Sequence, residues 1–184
     1  MNQTKNIRSM VMTALFAAIL VVLSFISIPV PFSTVPITGQ TLGIMLIGSI
    51  LGPLEAVAAV IVYIFLGAVG LPVFAGGNSG LGTLFGPSGG FLFSFIFGAF
   101  VISLIKGDGK KIMRLAIANI FGGIIVVYLI GVPWLSFILK ISLTKGFLIG
   151  ALPYLPLDII KAVFAVIIAV AVNRRLGYMT VKWA

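Results

Sequence analysis

Ser9–Ile28, SMVMTALFAAILVVLSFISI, is an unbroken apolar run without a charged residue. As a helix rising 1.5 Å per residue, it is long enough to cross a hydrocarbon core of about 30 Å. A secretory signal has a shorter apolar region of about 7 to 15 residues, so the run reads as a retained membrane helix. Apolar runs recur along the rest of the 184-residue chain, which is 61% hydrophobic and only 8% charged. That composition lies far outside the soluble range and predicts an all-α integral membrane protein forming one domain over residues 1–184. The alternating ten-residue strands of a membrane barrel are absent.

Proline and glycine divide the runs. Pro29, Pro31 and Pro36 make PVPFSTVP a non-helical connection. Gly52-Pro53 separates a short second helix from a third, and the glycine-rich stretch Leu71–Gly90, LPVFAGGNSGLGTLFGPSGG, separates the third from the fourth. A turn at Gly107-Asp108-Gly109 precedes the fifth. The predicted helices are 9–28, 39–51, 54–70, 91–105, 112–130 and 157–173. The segment Gly131–Pro156, punctuated by Pro133, Pro153 and Pro156, is expected to be mixed, with Trp134–Gly150 lying partly along the membrane interface. Leu71–Gly90 is expected to be an irregular loop.

Charge sets the topology. Six crossings put both termini on one side, together with Lys5, Arg8, Lys106, Lys110, Lys111, Arg114, Arg174, Arg175 and Lys182, nine of the twelve cations. Lys140 and Lys145 fall on the other side. The positive-inside rule therefore predicts cytoplasmic termini and an outward-facing glycine-rich loop. The net charge of +9 is carried by clusters beside apolar runs, so it reads as a topology signal and not as a nucleic-acid footprint.

Chemistry is sparsely provided for. There is no cysteine and no histidine, and Glu55, Asp108 and Asp158 are the only acids. Thiolate chemistry, ordinary zinc sites and a carboxylate metal cage lose their ligands, and no cofactor is expected. No phosphate-binding loop is present, since Gly109-Lys110 is followed by Lys111 and has Leu104 where the first glycine belongs. A membrane enzyme is disfavoured, and uphill transport requires an energy source supplied by other subunits.

Asp158 and Lys161 are the most informative pair. Three residues apart near the start of the last helix, they project from nearly the same face. An ionised residue inside a membrane helix costs about 2.5 to 3.5 kcal/mol on insertion scales, which points to a site; mutual neutralisation of a packed pair is the other reading. As adjacent acceptor and donor they suit a neutral ligand with neighbouring N–H and C=O groups, such as an amide or cyclic urea. The loop residues Gly76, Gly77, Asn78 and Ser79 offer backbone N–H groups and polar side chains to an anion, although a flexible connector would look the same. Phe74, Phe91, Trp134 and Tyr154 are candidate pocket walls, and at a membrane boundary such rings also serve as interfacial anchors. Ala14 and Ala18, one turn apart in the first helix, form a small-residue strip for close helix approach, as do Thr13 and Ala17; the neighbour is either this bundle or another protein.

VPITGQTL, GLPVFAGG, GPSGG and the late PLDIIK resemble the BioY family, the biotin-specific substrate-binding (S) components of energy-coupling factor (ECF) transporters. The resemblance runs in order from about Ile28 to Lys161. It implies a bundle of six membrane helices in a bacterial-type cell membrane, with both termini cytoplasmic and high-affinity capture of biotin from outside. It also implies a partner assembly of one membrane coupling protein and two cytoplasmic ATPases, contacted through Ala14 and Ala18. The family's DxxK pair maps to Asp158 and Lys161, its loop asparagine to Asn78, and Gln40 lies within VPITGQTL as a further candidate. Where many relatives carry tyrosine after the second glycine pair, this chain has Phe91. On this resemblance the ureido ring of biotin is assigned to Asp158 as acceptor and Lys161 as donor, and the tail carboxylate to loop N–H groups with Asn78. An S component for another vitamin and a stand-alone biotin facilitator are the alternatives.

Overall fold

A computed structural model of the chain describes residues 2–31 and 33–175. Lys182, one of the cations used above for topology, lies outside the described residues. In chain order the helices are α1 (Asn2–Ser24), α2 (Gln40–Ile50), α3 (Pro53–Ala68), the short α4 (Gly80–Leu84) and α5 (Gly89–Ile105). A continuous rod, Ile112–Leu139, follows. It consists of α6 (Ile112–Ala118), a π-helical stretch (Asn119–Val126) and α7 (Val127–Leu139); the short α8 (Leu143–Gly150) and α9 (Leu155–Arg175) are the last helices of the described residues.

The chain is a membrane helical bundle. By length and composition α1, the Ile112–Leu139 rod and α9 are able to cross a membrane, and α2, α3 and α5 are shorter apolar helices. At 1.5 Å per residue α2 is about 16 Å long. Nine of its eleven residues are buried, so it is a central strut packed by α1, α5 and α9, not a lipid-facing element. In α9 the buried residues Asp158, Ala162, Ala165, Val166, Ala169, Val170 and Asn173 repeat at helical spacing. Ile160, Phe164, Ile167 and Ile168 stand exposed on the other face, as expected of side chains meeting lipid.

The boundaries differ from the sequence expectation in three places. First, α1 ends at Ser24 and not at Ile28, and the Ser24 hydroxyl lies within hydrogen-bond distance of the carbonyls of Val21 (2.6 Å) and Val73 (2.5 Å). Ser27–Ile28 then pairs antiparallel with Ile37–Thr38, in the register Ser27 to Thr38 and Ile28 to Ile37. Second, Pro133 does not end the fifth apolar rod. It sits on the exposed side of α7 while Gly131, Val132, Leu135 and Ser136 are buried against the bundle, and packing holds the helix through a proline, as membrane helices tolerate. Third, Leu71–Gly90 is more ordered than an irregular loop: a 3-10 turn at Ala75–Gly77 leads into α4.

Two close helix approaches shape the interior. A Cβ on Gly122 would lie 2.6 Å from the carbonyl oxygen of Gly98, so α5 and the π-helical stretch meet backbone to backbone. A Cβ on Gly39 would lie 2.5 Å from the Leu23 carbonyl, so the start of α2 is pressed against the end of α1.

The connections segregate to two ends. At one end Ser24 Oγ reaches Val73, Tyr154 Oη donates to the Val35 carbonyl, and Lys161 Nζ donates to the Thr38 carbonyl. The first connection, the glycine-rich segment and the start of α9 are therefore assembled together. At the opposite end Asn173 Nδ2 donates to Ser49 O (3.0 Å) and Gly109 O (2.9 Å), and Lys106 Nζ donates to Leu51 O.

Candidate functional site

The first end holds a cavity of about 110 Å³. Its floor is the Asp158–Lys161 pair. Pro156 lies in the first turn of α9, where its missing N–H costs nothing. Asp158 falls in that same turn, where the helix dipole favours a carboxylate, and its backbone N–H is bonded to the Tyr154 carbonyl at 2.9 Å. One turn on, Lys161 Nζ lies 2.8 Å from Asp158 Oδ1.

The pair is closed by groups from distant parts of the chain. Thr41 Oγ1 donates to Asp158 Oδ1 at 2.8 Å and accepts from Lys161 Nζ at 2.9 Å. Lys161 also donates to the Thr38 carbonyl at 2.8 Å, so all three ammonium protons have acceptors. Tyr128 Oη donates to Asp158 Oδ2. Asp158 is 1% exposed, and a buried charge this deep is tolerable only with such a complete set of partners. The short β-pairing is what delivers Thr38 and Thr41: Ile37–Thr38 runs directly into Gly39 and the first turn of α2.

The walls are aromatic. Phe74, 1% exposed, stands edge-on to Tyr63 with ring centroids 5.6 Å apart. Phe91 packs edge-on to Tyr128 at 6.3 Å. Tyr154 is buried and tied through its hydroxyl to Val35, and burial pushes its phenol above the ordinary value of 10. Gln40 is buried with both polar ends engaged, Nε2 on Tyr63 Oη and Oε1 on Thr38 Oγ1, so it braces the wall on one side and Thr38 on the other.

Of the residues singled out from sequence, Asp158, Lys161, Asn78, Phe74, Gln40, Tyr154 and Phe91 line the cavity. Gly76, Gly77 and Ser79 do not. The Gly77 amide donates to the Phe74 carbonyl, and the Ser79 carbonyl accepts from Thr83 Oγ1, so these two groups hold the turn. Gly76 and Gly77 have φ of +65° and +81°, a left-handed pair that only glycine adopts freely, and their contribution is the shape of the turn. Asn78 is exposed, with its amide nitrogen bonded to its own turn at the Ala75 carbonyl (2.7 Å). Trp134 is not at the cavity; its Nε1 donates to the Gly86 carbonyl at 3.0 Å and pins the end of the glycine-rich segment to α7. Ala14 and Ala18 are exposed on the outside of α1, while Ala17 is buried, which resolves the two small-residue strips into one facing out and one facing in.

Sequence reasoning missed Thr41, Thr38 and Tyr128. Thr41 sits in the quoted VPITGQTL, but an alcohol at a helix start looks like any polar first-turn residue. Tyr128 is the one tyrosine within the Ile112–Leu139 rod, and that is the signal that was available. Nothing along the chain says that it faces a residue 30 positions later.

The BioY family model matches residues 1–178. A biotin transporter BioY from Rhizobium etli is 39% identical over 90% of this chain and 92% of its own length. A probable biotin transporter BioY from Bacillus subtilis is 40% identical over 89% of each. Among solved structures, the S-component for biotin from an ECF-type ABC transporter superposes with a TM-score of 0.88 at 32% identity, over 95% of both chains.

Proposed function

The chain belongs to the BioY family, and we propose on that premise that it is a biotin-binding S component of an ECF-type vitamin importer. It captures biotin at the end of the bundle that holds the cavity, and that end faces outward, with both termini in the cytoplasm of a bacterial-type cell. The observation that carries the reading is the fully partnered Asp158–Lys161 pair at the floor of an aromatic-walled cavity. The ureido ring of biotin presents N–H donors beside a carbonyl. Asp158 accepts from an N–H, and Lys161 exchanges one of its three protein acceptors for the ureido carbonyl, so neither charge is stranded when water leaves. Phe74, Phe91 and Tyr154 give the apolar ring and tail a dry wall, and Asn78, which lines the same cavity, is assigned to the tail carboxylate.

The protein is a transport subunit and not an enzyme. Its sequence has no phosphate-binding loop, so ATP hydrolysis falls to partners: a membrane coupling protein and two cytoplasmic ATPases. The outward-facing alanines of α1 suit a docking helix, because small side chains allow close backbone approach in lipid, where apolar burial supplies no drive.

Titration of the purified protein with biotin, thiamine and riboflavin tests the substrate. Saturable binding of biotin alone is expected, and a preference for either other vitamin overturns the reading. Uptake of biotin into liposomes by the protein without ATPases would replace the partner-driven mechanism with a stand-alone facilitator.

A further inference from the structure

Asp158 divides its hydrogen bonds unequally. Oδ1 is held by Thr41 and Lys161, two groups that are also bonded to each other. Oδ2 is held by Tyr128 Oη, a neutral phenol from another helix. Releasing Oδ1 means dismantling a three-membered network with an ammonium in it. Releasing Oδ2 means moving one hydroxyl.

Tyr128 is placed to do that. Its side chain lines the cavity, with its ring edge-on to Phe91, itself a wall residue. It is the second residue after the π-helical stretch Asn119–Val126, whose wider turns set the phase of the residues after it, and such stretches are frequent at functional sites. Resting on the reading that biotin binds at Asp158, we infer that Tyr128 is a stand-in ligand of the empty pocket: its phenol occupies the Asp158 oxygen that a ureido N–H takes over on capture. The exchange keeps the buried carboxylate partnered throughout, so the pocket never exposes a bare charge to an apolar wall. Tyr128 competes with biotin for one acceptor and so sets how tightly the site holds its ligand.

The test is Tyr128→Phe, followed by biotin titration and thermal unfolding with and without biotin. Without the hydroxyl, Oδ2 lacks this partner in the empty protein but regains one in the complex. The empty protein is expected to unfold at lower temperature, the stabilisation by biotin to grow, and the affinity for biotin to rise about tenfold, the order expected for a hydrogen bond to a charged group. An unchanged or weakened affinity overturns the inference. A second measurement needs no substitution: in structures of the unsubstituted protein with and without biotin, Tyr128 Oη is expected beyond about 3.5 Å from Asp158 Oδ2 when biotin is bound, with a ureido nitrogen in its place. Retention of the Tyr128–Asp158 bond in the biotin complex overturns it equally. Failure of the unsubstituted protein to bind biotin is a different result, because it removes the underlying reading of the site.

Discussion

Thr41 and Asp158 are 117 residues apart in the chain and 2.8 Å apart in the fold, joined by a hydroxyl-to-carboxylate hydrogen bond. That bond couples the first turn of α2 to the first turn of α9 and gives the charged pair a polar neighbour that carries no charge of its own. Thr41→Val keeps the shape and removes the hydroxyl, leaving Asp158 and Lys161 one partner short. A cost of about 1–3 kcal/mol in stability is expected, together with weaker biotin binding, measured by thermal unfolding and titration of the same preparation.

The charges themselves are expected to matter more. Lys161→Ala leaves the Asp158 carboxylate buried without its cation, and Asp158→Asn replaces an acceptor by an amide with donors of its own. Each is expected to weaken biotin binding by about 2–5 kcal/mol, the range for breaking a buried, hydrogen-bonded charge pair. If both variants bound biotin as the unsubstituted protein does, the assignment of the ureido ring to this pair would be wrong.

Gly67 tests the wall. A Cβ there would lie 2.1 Å from Phe74 Cζ, and the Phe74 ring is 1% exposed, with little room to withdraw. Gly67→Ala is expected to destabilise by about 1–3 kcal/mol through overpacking and to lower biotin affinity by shifting Phe74. Unaltered affinity alongside the stability loss would show that Phe74 does not shape the ligand site.

Ala14 and Ala18 test the partner face. Leucine at both positions alters no buried contact, so biotin affinity of the isolated protein is expected to hold within a factor of about two. ATP-dependent uptake by the assembled transporter is expected to be lost, because the coupling helix is held away. Normal uptake would place the coupling contact elsewhere.

At the end of the bundle opposite the cavity, Lys106 makes stability depend on pH. Its side chain is buried, 3% exposed, and donates to the Leu51 carbonyl; burial lowers its pKa from 10.5 to about 7, a shift that the nearby Glu55 carboxylate partly opposes. Between about pH 7 and 10.5 the unfolded chain therefore binds a proton that the folded one does not, so stability rises as pH increases through that window. The slope is at most about 1.4 kcal/mol per pH unit. Thermal unfolding in detergent across this range is expected to show the rise, and Lys106→Met to flatten it.

The sequence by itself determined the solvent and the inventory. Apolar runs too long and too numerous for a water-soluble core dictated a membrane helical bundle, and the lone DxxK pair in an apolar helix marked the place where charge had to be explained. Both are properties of a helix taken alone: transfer free energy is summed along it, and residues three apart share a face. Tertiary structure decided the rest. Pro133 stayed helical because α7 is packed on its other side. The glycines of the loop became the framework of a turn, since Gly77 spends its amide on Phe74. Tyr128 and Thr41 became partners of Asp158, which no local pattern encodes, because hydrogen bonds between helices depend on which faces the packing of the bundle turns toward each other.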